Sequence, residues 1–285
     1  MKELAPLESL WEAANGQGVD LPLPVELLKL YGPLRFPPHP DRTYVIGNFV
    51  STLDGVVSLS LPGQSGGGPI SGELRQDRMV MGLLRAAADA VVVGAGTFRD
   101  VRNHVWTPGY VFPELAEEYA TLRREMGKEG PPLNVIVTAS GRLNFDRRVF
   151  KSGEVHVLIV TTTGGRDEII RRRPPQSVQV AAIESDPSLT AQAILDAVGE
   201  AGGKDVVLVE GGPRLIGNFF DEKRLDELFL TLAPQIAGRD DSAERPGLVA
   251  GKIFAPDGPL WSRLAGIKRS GSHLFLRYDF GTDST

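Results

Sequence analysis

The sequence predicts an α/β protein, a three-layer α–β–α sandwich built on a mixed, mostly parallel sheet. Four short runs are almost continuously apolar rather than alternating, which is typical of strands buried on both faces. They span residues 90–93, 135–137, 155–160 and 206–209. Segments with a helical spacing of apolar residues lie between them, and glycine or hydroxyl-bearing residues follow each run directly.

Residues 1–40 are predicted to form an N-terminal helical, Pro-rich appendage to a main domain of residues 41–285. A short helix over residues 7–14 ends at Asn15-Gly16, and one or two helical turns follow over residues 25–31. Six prolines between residues 22 and 40 prevent a continuous helix or a central strand. We expect this segment to pack on the main domain.

The main domain is predicted to begin with a strand over residues 44–50, after which Asp54-Gly55 favours a hairpin turn into residues 56–59. Ser71 is a good N-cap for a helix over residues 73–88. Further helices are predicted over residues 113–127, 167–173 and 188–200. Strands are predicted over residues 228–232, 267–270 and 274–280, and the alternation in the last run indicates antiparallel strands that close one edge of the sheet.

The composition excludes several classes of function. With 36 acidic and 31 basic residues the net charge is −5, which argues against a nucleic-acid or anionic-membrane surface over the whole protein. The absence of cysteine excludes disulfides, thiolate metal sites and cysteine nucleophiles, and the four histidines lack metal-ligand spacing. There is no signal-peptide pattern and no run long enough to span a membrane. We therefore expect a soluble, cytoplasmic protein without a bound metal.

The loops after the strands predict a ligand site. In an open parallel sheet, ligands bind at the carboxyl ends of the strands, where helix N-termini present unpaired N–H groups. Glycines and hydroxyls at four such ends favour an anionic ligand of nucleotide size. Two common motifs are nevertheless excluded, because Arg99 stands where the dinucleotide fingerprint has its third glycine and no P-loop sequence occurs.

The stretch of residues 210–215, EGGPRL, is the most informative of these loops. Two glycines and a proline at the first helical position leave N–H groups free to cradle a phosphate. A carboxylate beside a phosphate is unfavourable, so Glu210 is expected to point toward a neutral or cationic group of a ligand or substrate. Alternatively, Glu210 is an electrostatic partner of the helix N-terminus.

Several stretches together carry a resemblance to a known family. They read NFVSTLDG from residue 48, ISG from residue 70, LLRA from residue 83, ADAVVVGAGT from residue 88, VEGGP from residue 209 and LDELFLTLAP from residue 225. In this order, over about residues 43–280, the sequence resembles the reductase domain of riboflavin biosynthesis, in the dihydrofolate-reductase-like superfamily. The zinc-deaminase motifs that precede this domain in bifunctional members do not occur, so the resemblance implies only the reductase.

The resemblance implies that NADPH delivers hydride to the first sugar carbon of a ribosylaminopyrimidine phosphate. It also implies a homodimer, with the terminal antiparallel strands as the interface. The implied cofactor contacts are Ser51, Gly94, Gly96, Thr97, Ser140, Arg142, Gly211, Gly212, Pro213, Arg214 and Leu215. Arg142, beside Ser140, would supply charge for the adenosine 2′-phosphate.

On the substrate side, the resemblance places catalytic carboxylates at Asp54 and Glu210 and substrate contacts at Asn48 and Arg78. Asp54 is equally suited to a purely structural turn, and Arg78 also fits an ordinary exposed helical position. After Thr97 the family usually continues with an acidic residue, Asp or Asn, and Pro, but here residues 98–108 are rewritten.

The rewritten segment offers Arg99, Arg102 and Trp106 to hold an anion and a flat ring. Its departure from the family pattern leaves the hydride acceptor open. Two other functions therefore stay open: a dihydrofolate- or pterin-type reductase, and a catalytically silent nucleotide-binding dimer.

Overall fold

The predicted apolar runs lie at the centre of a ten-stranded sheet. The computed structural model describes residues 4–13, 18–60, 66–101, 103–184, 189–240 and 244–281. Its strands are β1 (Glu8–Glu12), β2 (Val19–Asp20), β3 (Arg35–Phe36), β4 (Tyr44–Ser51), β5 (Ala90–Gly94), β6 (Leu133–Thr138), β7 (Val157–Thr162), β8 (Val178–Ile183), β9 (Val206–Val209), β10 (Glu227–Leu232), β11 (Arg263–Ser270) and β12 (His273–Asp279). The order in the sheet is β1-β11-β12-β10-β4-β9-β5-β6-β7-β8, and β2 pairs with β3 separately. Neighbours from β10 to β8 are parallel, whereas β1, β11 and β12 pair antiparallel.

Helices cover both faces of this sheet. They are α1 (Val25–Tyr31), α2 (Gly68–Ser71), α3 (Arg75–Ala87), α4 (Ala95–Asp100), α5 (Pro108–Val111), α6 (Ala116–Glu125), α7 (Arg148–Lys151), α8 (Thr163–Arg171), α9 (Ala191–Glu200) and α10 (Pro213–Asp221). Helices α1, α3, α6 and α8 contribute to the core on one face, and α9 and α10 to the core on the other. The predicted three-layer α/β class with a mostly parallel sheet is confirmed. Among the described residues, no helix combines the length and apolarity that a membrane crossing requires.

The central strands explain why their sequences are continuously apolar. In β9, Val206 and Leu208 enter the core on the α3 face, while Val207 and Val209 enter the core on the α10 face. Side chains alternate between the two faces of a strand, and here both faces are covered. The four residues are at most 1% exposed, so this strand has no polar face to display.

The predicted helix over residues 7–14 is wrong, because β1 forms there instead. β1 pairs with β11, with Glu8 opposite Arg269 and Glu12 opposite Gly266. Without β1, the outer N–H and C=O groups of β11 would have no sheet partner, and pairing with them outweighs the local helical tendency. The antiparallel strands β11 and β12 exist as predicted, but β1 rather than either of them forms the edge of the sheet.

Three smaller expectations also need correction. The turn at Leu53-Asp54 is present, but residues 56–59 form no strand, since the Val57 N–H donates to Pro246 O at 3.0 Å. Ser71 belongs to the short helix α2 and does not cap α3. Strand β8 was not predicted, because its residues are only half-buried and its sequence is not continuously apolar.

The N-terminal segment contributes to the same core as the rest of the chain. Leu27 in α1 is fully buried, whereas its neighbour Leu28 is 46% exposed. We predict that Leu27→Ala lowers the free energy of unfolding by about 2–5 kcal/mol through the cavity it leaves. Leu28→Ala, the matched control, should change it by less than about 1 kcal/mol. Denaturant unfolding measures both, and two equally small effects would contradict this packing.

Candidate active site

A cavity of about 880 Å³ opens at the carboxyl end of the parallel strands. The ends of β4, β5, β6 and β9 and one face of α3 form its wall. Three of the four predicted loops therefore meet here, while the loop after β7 does not line the cavity. The volume lies within the range of about 300–1,000 Å³ that small-molecule and cofactor sites occupy. The order β4-β9-β5 places this cavity at a topological switch point, where the strand order of the sheet reverses. Ligands usually bind at such points in open α/β sheets.

The loop between β9 and α10 presents unused backbone donors to this cavity. The described residues provide no hydrogen-bond partner for the N–H groups of Gly211, Gly212 and Arg214. Gly211 has a φ of 122°, a conformation that favours glycine, and a Cβ added there would lie 3.2 Å from Thr97 Oγ1. The Leu215 N–H, by contrast, is satisfied by Gly212 O at 2.9 Å. Three N–H groups at a helix N-terminus form a suitable anion site.

A backbone bond holds this loop against the end of β5. The Gly94 N–H donates to Gly211 O at 2.7 Å, and a Cβ added at Gly94 would meet Gly212 N at 3.4 Å. The two loops thus approach each other closely. The predicted cofactor contacts that line the cavity are Gly94, Gly96, Thr97, Ser140, Gly211, Gly212, Pro213, Arg214 and Leu215.

The other two predicted cofactor contacts lie outside the cavity wall. Ser51 is buried and its hydroxyl donates to Thr52 O at 3.0 Å. Arg142 is exposed beside the cavity, and its N–H donates to Ser140 Oγ at 3.4 Å. Its guanidinium lowers the pKa of Glu168, after larger effects from Arg172 and Arg171, so positive charge is concentrated on this side.

A buried ion pair joins α3 to the loop after β9 in the wall of the cavity. Arg85 and Glu210 side chains are 2% and 5% exposed, and Arg85 Nη2 lies 2.7 Å from Glu210 Oε2. Arg85 Nε also donates to both carboxylate oxygens, at 2.9 and 3.1 Å, and Nη1 donates to Thr107 O at 3.2 Å. Glu210 was expected to point toward a neutral or cationic group of a ligand or substrate, and it instead faces a cation of this chain, Arg85.

His104 extends this pair toward the rewritten segment. Its Nε2 lies 3.1 Å from Arg85 Nη2, and its ring packs against Trp106 and Tyr110. Burial, and then the charge of Arg85, lower the pKa of His104 to about 2. The imidazole is therefore neutral at physiological pH, and its Nε2 accepts the Arg85 hydrogen bond.

Asp54 does not line the cavity. Its carboxylate accepts hydrogen bonds from the Thr52 hydroxyl at 2.6 Å and from the N–H groups of Ala237 and Gly238 at 3.1 and 2.8 Å. The Thr52 bond and the backbone bonds lower the pKa of Asp54 to about 2. Asp54 is thus ionised and engaged in holding two loops together, which makes it a poor proton donor.

The predicted substrate contacts are divided. Asn48 lines the cavity from β4, and Arg99 lines it from an exposed position on α4. Arg78 points away from the cavity and pairs with Glu73 at the surface. Trp106 lines the cavity but is 3% exposed, and Arg102 lies outside the described residues.

Sequence reasoning missed two residues on α3 that line the cavity, Asp77 and Arg85. Together with Met81 they recur every four residues, so they share one helix face, while Arg78 is turned by one residue. This spacing could have identified Asp77 and Arg85, because both interrupt the apolar face that α3 presents to the core.

Fold and site together define an α/β protein with a candidate anion cradle, the N–H groups of Gly211, Gly212 and Arg214, and a buried ion pair at the carboxyl ends of its strands. The family model described as RibD C-terminal domain matches residues 43–272. The chain belongs to this family. A curated relative from Archaeoglobus fulgidus, named 2,5-diamino-6-ribosylamino-4(3H)-pyrimidinone 5′-phosphate reductase, is 28% identical over 215 residues, which cover 75% of this chain and 89% of the relative.

Solved structures with a similar fold include two related bacterial proteins. The deaminase/reductase of Thermotoga maritima superposes with a TM-score of 0.61 at 23% identity, and the match covers 85% of this chain but only 57% of that one. A pyrimidine reductase-like protein of Corynebacterium diphtheriae gives a TM-score of 0.63 at 22% identity, with 85% and 93% coverage. At these identities the likeness supports the fold.

Removing one partner of the buried ion pair should be costly. We predict that Glu210→Ala lowers the free energy of unfolding by about 3–5 kcal/mol, because Arg85 is left as an uncompensated buried charge. Glu73→Ala removes the exposed partner of Arg78 on the neighbouring turn and should have little effect. Equilibrium unfolding in urea compares the two variants. Equal losses of unfolding free energy would contradict a special contribution of the buried pair to stability.

Proposed function

We propose that this chain is an NADPH-dependent reductase of a ribosylaminopyrimidine 5′-phosphate. The observation that carries the proposal is the set of N–H groups at Gly211, Gly212 and Arg214, which have no partner among the described residues and line a cavity of nucleotide size in a member of this family. The name of the Archaeoglobus fulgidus relative, which this chain matches over 89% of its length, supports the substrate class.

The residues present fit a pyridine dinucleotide. The three N–H groups would bind its pyrophosphate, and Ser140 with Arg142 would bind the 2′-phosphate that distinguishes NADPH from NADH. When bound, the cofactor supplies hydride. The protein has to orient the acceptor and exclude water around it.

The α3 side of the cavity is suited to the acceptor. Glu210 is fixed by Arg85 but keeps acceptor capacity at Oε1, which can take a hydrogen bond from a substrate amino or hydroxyl group. Asn48 can donate and accept from the neighbouring strand, and Arg99 at the rim can bind the substrate phosphate. The apolar surfaces of Met81 and Trp106 exclude water between these groups.

This proposal includes a homodimer in the cytoplasm. The lack of cysteine suits a reducing compartment. Because β1 covers β11, the proposed interface at the antiparallel end of the sheet would include β1, whose Leu10 and Trp11 are 46% and 45% exposed.

The activity is tested by following loss of reduced-nicotinamide absorbance. We predict turnover with the diaminopyrimidinone ribosyl phosphate or with its deaminated uracil analogue. An arginine–phosphate contact contributes about 1.5–3 kcal/mol, so NADPH should be preferred over NADH by roughly ten- to a hundredfold. Cofactor binding without oxidation by either acceptor would instead support the silent nucleotide-binding protein.

The anion cradle is tested by a charge placed inside it. We predict that Gly212→Asp weakens NADPH binding at least a hundredfold, because a carboxylate there repels the pyrophosphate. The fold should survive, since φ at Gly212 is −97° and a Cβ would lie 3.4 Å from Thr97 Oγ1. Gly212→Asn, of the same size but uncharged, is the control in a calorimetric titration. Equal losses in the two variants would assign the effect to bulk and contradict the cradle.

A further inference from the structure

Asp77 is a buried carboxyl in the wall of the cavity. It is 6% exposed and lies on the face of α3 that also presents Met81 and Arg85 to the cavity. The hydroxyls of Ser71 in α2 and Thr231 in β10 lie close to this carboxyl and favour its ionised form. Residues of three elements thus surround one carboxyl beside the space where an acceptor would lie.

No cation pairs with Asp77 among the residues that the structure describes. Arg85, eight residues further along α3, is committed to Glu210, and Arg78 turns outward to Glu73. Burial therefore raises the pKa of Asp77 to about 6, with Glu210 adding to the rise and the two hydroxyls opposing it.

Of the other titratable groups near Asp77, one is a neutral histidine, and the rest lie outside the cavity, belong to an ion pair or are at least partly exposed. His104 stays neutral because burial and Arg85 lower its pKa to about 2. His273 of β12 does not line the cavity, and its Nε2 lies 3.0 Å from Ser71 O. Of the carboxyls that line the cavity, Glu210 is held by Arg85, while Asp100 and Glu244 are partly or fully exposed.

We infer that Asp77 is the proton donor of the reduction, an assignment that rests on the function proposed above. In the open-chain form of the substrate, C1 of the sugar is joined to the pyrimidine nitrogen as C=N. A bound dihydronicotinamide would supply the hydride for the new C–H bond at C1, and the π electrons of C=N would move to nitrogen. Nitrogen takes its proton from the Asp77 carboxyl, and water afterwards returns a proton to the carboxylate.

This role fixes the direction of the pH dependence. The protonated form of Asp77 is required, so the rate of hydride transfer should be constant well below pH 6 and fall about tenfold per pH unit above it. Asp77→Asn should lower kcat by roughly 10²–10⁴-fold, abolish this alkaline limb and change KM only slightly.

A second variant should shift the alkaline limb of the pH–rate profile instead of removing it. Thr231→Val keeps the shape of the side chain but removes a hydroxyl that favours the ionised carboxylate. The pKa of Asp77 should then rise, and the alkaline limb should shift to higher pH. Glu73→Gln, which alters an exposed carboxylate two residues before α3, is the control and should leave the profile unchanged.

Stopped-flow measurement of NADPH oxidation with the purified full chain provides the rates, and an infrared titration of the free protein follows the carboxyl without turnover. A protonated-carboxyl band that disappears with a midpoint near pH 6, and that is missing in Asp77→Asn, is expected. The absence of this band in the wild type overturns the assignment. An active wild type whose alkaline limb survives in Asp77→Asn overturns the assignment alone. A wild type that binds NADPH but turns over neither acceptor overturns the proposed function, and the assignment with it.

Discussion

The buried pair of Arg85 and Glu210 is the constraint on which the site depends. Two charges removed from water are stable only if nearly all their hydrogen-bonding capacity is used. Glu210, Thr107 O and His104 meet that requirement for the guanidinium. The pair fixes α3, the loop after β9 and the rewritten segment relative to one another. It also neutralises a carboxylate one residue before the anion cradle, so that the positive potential of the α10 N-terminus is preserved.

The two ends of the sheet are built differently. At the amino ends, side chains hold the backbone: Asp226 accepts from the Val45 N–H at 2.7 Å, and Asp89 accepts from the Val206 N–H at 3.2 Å. Asn134 at the start of β6 bonds both the N–H and the C=O of Trp106. At the carboxyl ends, the described part of the chain provides no such partners for the donors of the cradle. The end that is closed by side chains gives rigidity, and the open end retains the polar groups for a ligand.

The central sheet and the cradle could be predicted because their signals are local. Continuous apolar runs report burial on both faces, and EGGP reports a strand end followed by a helix N-terminus. Strand β1 could not be predicted in this way, since its partner β11 is more than 250 residues away and its five residues are all exposed. Asp54 and Arg78 show a similar limit. The turn and the helix were located correctly, but which side of each faces the cavity depends on packing that neither segment encodes alone.

The two halves of the cavity differ in how they respond to sequence change. The cradle uses main-chain N–H groups of Gly211, Gly212 and Arg214, so it depends on loop conformation more than on side-chain identity. The α3 half uses side chains on a rigid helix, and the rewritten segment reaches it through His104 and Trp106. Because Arg85 binds His104 and Thr107 O of that segment, changes there act first on the α3 half and reach the cradle only through the Arg85–Glu210 pair.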